Sequence, residues 1–127
     1  MLLRLQGIDC PEKGQPFGTK AKQATAALVF RKEVKVRLQE DHNRYKRSIG
    51  SVVLSDGRML NHELVRNGWC WWYREYAPKD TELEQLETEA REGRKGLWSA
   101  PASVPPRIYR KARQKKKSDL LDQILIR

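Results

Sequence analysis

The sequence predicts a small α+β domain of short strands and about three helices. Two observations carry this: apolar residues recur at helical spacing in separate segments, and elsewhere they alternate with charged residues as in a half-buried strand. At 127 residues and 39% hydrophobic, the chain can fill one modest core and has no room for a second catalytic domain.

The elements follow in order. The opening run Arg4-Leu5-Gln6-Gly7-Ile8-Asp9-Cys10-Pro11-Glu12 gathers an arginine and two carboxylates into one short turn, which reads as the acid half of a metal-assisted phosphodiester cleavage site. Thr19 to about Lys32 is Ala-rich, with Ala21, Ala24 and Leu28 at helical spacing. Val34, Val36 and Leu38 alternate with Lys35 and Arg37 as a half-buried strand. A polar turn from Glu40 to Arg44 leads to a second strand, Ser48–Leu54, which stops at Ser55-Asp56-Gly57-Arg58, and the two strands form an antiparallel pair. Asn61 caps a short helix ending at Gly68. Trp69 to Tyr73 is an apolar extended run, with core packing favoured over base stacking for its aromatics.

Thr81-Glu82-Leu83-Glu84 has the form of a capping box opening a third helix, with Leu83, Leu86 and Ala90 on one face and a close near Gly93 or Gly96. Its Glu82, Glu87, Glu89 and Glu92 read as a solvated acidic face. Leu97 and Trp98 form an apolar anchor. Residues 1–100 thus form the domain, and 101–127 form a Pro-rich linker and basic tail, in which Ser118 caps a short helix carrying Leu120, Leu121, Ile124 and Leu125.

Charge and cysteine content narrow the function classes. Lys and Arg number 26 against 16 Asp and Glu, a net +10 that attracts polyanions, so nucleic acid is the first partner to consider and a merely solubilising surface the alternative. Residues 101–127 hold eight basic and two acidic residues, contributing +6. Cys10 and Cys70 are the only cysteines and form no C-x-x-C pair, which argues against zinc and leaves oxygen donors for any metal. Two free thiols are expected, with one bridge as the alternative. No apolar run approaches the ~18 residues of a membrane span, and no signal-peptide pattern opens the chain, so compartment stays open.

Four ordered motifs carry a family resemblance: Arg4-Leu5-x-Gly7-Ile8-Asp9-x-Pro11-Glu12, then Arg44-Tyr45-x-Arg47, then Asn61 through Gly68, and last Gly96-Leu97-Trp98. In order and spacing the chain resembles the thermonuclease family, typified by staphylococcal nuclease. Pro-Pro-x-x-Tyr-Arg from Pro105 is similar to the tail of bacterial members. The resemblance implies a five-stranded antiparallel barrel of the OB type with three helices, and calcium-dependent cleavage of DNA and RNA that leaves 3′-phosphate ends.

By that resemblance Glu12 orients or deprotonates the attacking water, and Arg4 and Arg47 clamp the scissile phosphate through their planar, permanently charged forks. Asp9 and the Cys10 backbone carbonyl are the calcium ligands, in keeping with calcium's demand for hard oxygen. Arg44 falls where the family has a nucleotide-binding lysine, Arg74 on one of two nucleotide-binding tyrosines, and Tyr76 on the other; Tyr76 alone carries over by identity. Lys46 stands where the family has glycine beside the clamp arginine. Family members carry two strands ahead of the Arg-Leu motif and, between them, a second aspartate on calcium. Neither is present here, so the resemblance implies an incomplete barrel and a weakened metal site, with further sequence expected upstream. A nucleic-acid-binding module without turnover is the alternative reading.

Overall fold

Among the described residues, five short strands and three helices have defined bounds. The computed structural model describes residues 3–39, 48–100, 105, 106, 108, 111 and 112. In chain order the elements are β1 (Leu3–Leu5), β2 (Ile8–Asp9), α1 (Gly18–Val29), β3 (Lys35–Leu38), β4 (Ser48–Val53), α2 (Leu60–Arg66), β5 (Trp71–Trp72) and α3 (Thr81–Glu92), followed by a 3₁₀ turn at Gly96–Ser99. The Arg44 and Arg47 region and the Ser118 helix lie outside the described residues.

β4 is the centre of a three-stranded sheet of order β1-β4-β3. The expected antiparallel pair is formed by β3 and β4, with Val36 opposite Val52, while β1 runs parallel to β4 with Arg4 opposite Ile49. β2 and β5 make a separate antiparallel ribbon in which Ile8 faces Trp72 and Asp9 faces Trp71. Among the described residues the strands do not close on themselves, which is the incomplete barrel that the resemblance implies, although its β1–β4 pairing is parallel.

The core lies between the sheet and the helices: Ile8, Val52, Leu54, Leu60, Leu64, Val65, Leu83 and Leu86 are buried together. Leu64 and Val65 are fully enclosed, so α2 forms the middle of the domain despite its seven residues. Helical propensity is marginal at that length, and burial of one face holds it.

Several local expectations are corrected. β3 is exposed along its whole length, Val36 and Leu38 included, and among the described residues it lies at the edge of the sheet beside β4. Asn61 does not cap α2: Met59 precedes the helix in extended conformation without a side-chain cap. Asn61 is instead buried, donating from Nδ2 to the Gln6 carbonyl at 2.9 Å and accepting the Val52 N–H at 3.3 Å, which ties α2 to β1 and β4. The cap of α3 moves one residue back, to Asp80, whose carboxylate accepts the Leu83 N–H at 3.0 Å.

The cysteines are bridged, Cys10 to Cys70, rather than free. The register gives the reason: with 8 opposite 72 and 9 opposite 71, the next pair along the β2–β5 ribbon is 10 and 70, and their Cα atoms stand 4.2 Å apart. In the chain-entropy view, a loop of this length stabilises the native state by about 4 kcal/mol.

Candidate active site

The opening turn is built from β1, a Gln6-Gly7 reversal, β2 and the loop running into α1. Gly7 has φ +77°, and a Cβ there would strike the Leu83 side chain, so the reversal needs glycine both for its backbone and for its fit against α3. Asp9 ends β2 nearly buried, Cys10 is locked by its bridge, Pro11 is buried, and Glu12 is half-buried.

Glu12 is fixed through its backbone. Gln15, itself buried, accepts the Glu12 N–H on its side-chain oxygen at 3.1 Å, while its own N–H donates to the Glu12 carbonyl at 2.9 Å. Gly18, at the start of α1, lies so close to that carbonyl that any Cβ would collide with it. A short loop is thereby made stiff enough to hold a carboxylate in one place. Sequence reasoning missed Gln15, and its glutamine alone carried no signal.

Arg4 lies against two aromatic rings. Its guanidinium carbon lies 5.4 Å from the centre of the Tyr73 ring and 5.9 Å from that of Tyr76, within cation–π range. The rings meet edge to face at 4.6 Å, because the chain from Tyr73 to Ala77 makes one tight turn in which Ala77 N–H donates to the Tyr73 carbonyl. Tyr73 N–H also donates to the Gly7 carbonyl at 2.9 Å, tying this turn to the one that carries Arg4. Among the described residues no carboxylate pairs with Arg4. The structure therefore brings Arg4 and Tyr76 together as neighbours, with Tyr73 as an unforeseen third member, and leaves Tyr76 three-quarters exposed.

Glu87, expected on a solvated face, is 3% exposed. Its carboxylate accepts the Trp72 N–H at 2.7 Å and faces Arg74 at 3.5 Å and Arg91 at 3.4 Å. The two guanidiniums lie over Trp72 and Trp98, and Trp98 meets Trp71 edge to face. The helix carries this glutamate between Leu83, Leu86 and Ala90, on its buried side, and β5 brings an orphan backbone donor to it. Arg74 is thus a structural partner of Glu87. These residues line a cleft of about 630 Å³ that opens beside Asp9. The favoured expectation of core packing holds for Trp71, which is buried.

Asp9 offers a hard carboxylate oxygen of the kind calcium takes. Among the described residues no three His, Cys, Asp or Glu side chains cluster so as to hold a metal ion. No helix of the described residues is long and apolar enough to cross a membrane.

The fold and site are those of an α+β domain in which the arginine of an Arg-x₄-Asp-x₂-Glu turn lies against two tyrosine rings. Residues 2–100 match the family described as staphylococcal nuclease homologue, and the chain belongs to that family. It is 41% identical over 118 residues to protein ParB of Escherichia coli, covering 86% of this chain and 66% of that protein. It is 39% identical over 119 residues to a micrococcal nuclease of Shigella flexneri, covering 87% and 68%. A probable staphylococcal-like nuclease, CAN1, of rice is 37% identical over 109 residues, covering 86% and 32%. The chain thus spans about two thirds of the length of the two bacterial relatives and a third of the plant one.

Proposed function

We propose that this chain hydrolyses phosphodiester bonds in nucleic acid. The observation that carries this is an arginine lying over two aromatic rings, with no carboxylate partner among the described residues, on the strand that leads into the bonded Asp9–Glu12 loop. A phosphodiester repels nucleophiles, so its hydrolysis needs water activated and the equatorial oxygens' growing charge absorbed. Glu12 takes the proton of the attacking water, and Arg4 bonds the equatorial oxygens, with Arg47 as the second clamp by family resemblance. The water oxygen bonds to phosphorus, the bond to the 5′-oxygen breaks, that oxygen takes a proton from solvent to become a 5′-hydroxyl end, and a 3′-phosphate end remains. Tyr76, with its ring exposed, stacks the adjoining base, and Arg44 contacts the nucleotide. Asp9 and the Cys10 carbonyl would hold calcium, which would supply a charge close to the phosphate.

The test is incubation of single-stranded DNA with the protein in calcium and in EDTA, followed by end-group analysis. Calcium-dependent fragments ending in 3′-phosphate are expected; fragments ending in 5′-phosphate, or equal cleavage in EDTA, would contradict the mechanism. The second reading, binding without turnover, is favoured by the +6 tail. Its signature is salt-sensitive retention of DNA with no fragments at any calcium concentration.

A further inference from the structure

We infer that Tyr73 is a positioning residue for Arg4, an inference that rests on the reading of Arg4 as a phosphate clamp. A flexible arginine side chain loses rotamer entropy when it grips a phosphate, so a group that holds the guanidinium beforehand reduces that cost. Carboxylates do this elsewhere in the domain, as Glu87 does for Arg74 and Arg91, but they also occupy the N–H donors and cancel the charge. A π face fixes the cation and takes none of its in-plane donors.

Tyr73 is the ring suited to this work. Its guanidinium contact is the shorter of the two, 5.4 Å against 5.9 Å. It is half-buried where Tyr76 is exposed, and its backbone is bonded to Gly7, three residues from Arg4. Tyr76 leans against it edge-on. The ring at 73 is thus the fixed support, and the one at 76 is available to substrate. Tyr73 touches no reacting atom and acts through Arg4.

The prediction is a coupling. Tyr73→Leu lowers kcat/KM for single-stranded DNA by about 5- to 10-fold, in line with a partly desolvated cation–π contact, and Tyr73→Phe, which keeps the π face, restores most of it. In an Arg4→Ala background Tyr73→Leu has no further effect, because the group it positions is gone. A general structural role would instead lower both backgrounds equally. The same cycle is measured as the Kd of a fluorescent oligothymidylate in EDTA. Equal losses in the two backgrounds, or failure of Tyr73→Phe to recover, would overturn the inference. A protein that binds but never cleaves refutes the nuclease reading while the Kd cycle still decides on Tyr73; one that neither binds nor cleaves refutes both.

Discussion

Among the places where the described residues set arginine on an aromatic ring, two differ in what else the guanidinium meets. At the opening turn, Arg4 lies over Tyr73 and Tyr76 with no described carboxylate partner; across β5, Arg74 and Arg91 lie over Trp72 and Trp98 and both face the buried Glu87. The rings supply the same attraction in each place. What differs is the anion: a guanidinium already paired with a buried carboxylate holds the fold together, and on the proposed function one that lies over π faces with no described carboxylate partner takes a phosphate. Cation–π contacts by themselves therefore do not mark a binding site.

The comparison is broken most sharply by removing Arg4. Arg4→Ala should lower kcat/KM by about 10²- to 10³-fold, the usual loss for a group that stabilises transition-state charge, with the melting temperature nearly unchanged. A large drop in melting temperature would move Arg4 into the structural class. Reduction of the Cys10–Cys70 bridge comes next. A denaturant titration of reduced against oxidised protein should show a loss of about 2–4 kcal/mol, and because the bridge adjoins Asp9, cleavage should fall as well.

Glu87→Gln tests the other side. It keeps the shape and removes the charge, and since Arg74 and Arg91 are each about half exposed, solvent covers part of the loss: about 1–2 kcal/mol in chemical denaturation is expected. Cleavage measured well below the melting point should hold within a few-fold. The smallest effect belongs to a fully exposed pair. The Arg58 N–H and guanidinium beside Asp56 hold its carboxyl below its ordinary 3.8. The sign follows: a depressed carboxyl stabilises the fold above about pH 3.8 and loses that contribution as pH falls through its native value. The melting-temperature difference between wild type and Asp56→Asn should therefore be small at pH 6 and vanish in acid.

Much of this was legible from the chain. The helical repeats placed α1 and α3, alternation placed β3 and β4, and Gly68 and Gly93 end their helices where expected. The run from Arg4 to Glu12 reads as a short turn, and the structure has one there because Gly7 and the Gln15 bonds act locally. The misses involve distant partners. Glu87 lies four residues after Leu83 and three before Ala90, so the periodicity put it on the buried face, but the donor that makes such burial tolerable belongs to Trp72. Asn61 resembled a cap because caps and buried amide bridges use the same side chain, and only the pairing of β1 with β4 selects the second use. The cysteine pairing depended on the β2–β5 register, which spans 60 residues and left no local trace.

Glu12 provides the most direct test of whether this turn does chemistry. Single-turnover cleavage of single-stranded DNA in calcium is compared for wild type and Glu12→Gln, a change that keeps size and backbone bonds and removes the base. A general base contributes about 10²–10⁴-fold, so the variant's rate should fall by that factor while its affinity for DNA is maintained. Cleavage by Glu12→Gln at the wild-type rate would show that the opening turn is not where the phosphodiester is cut.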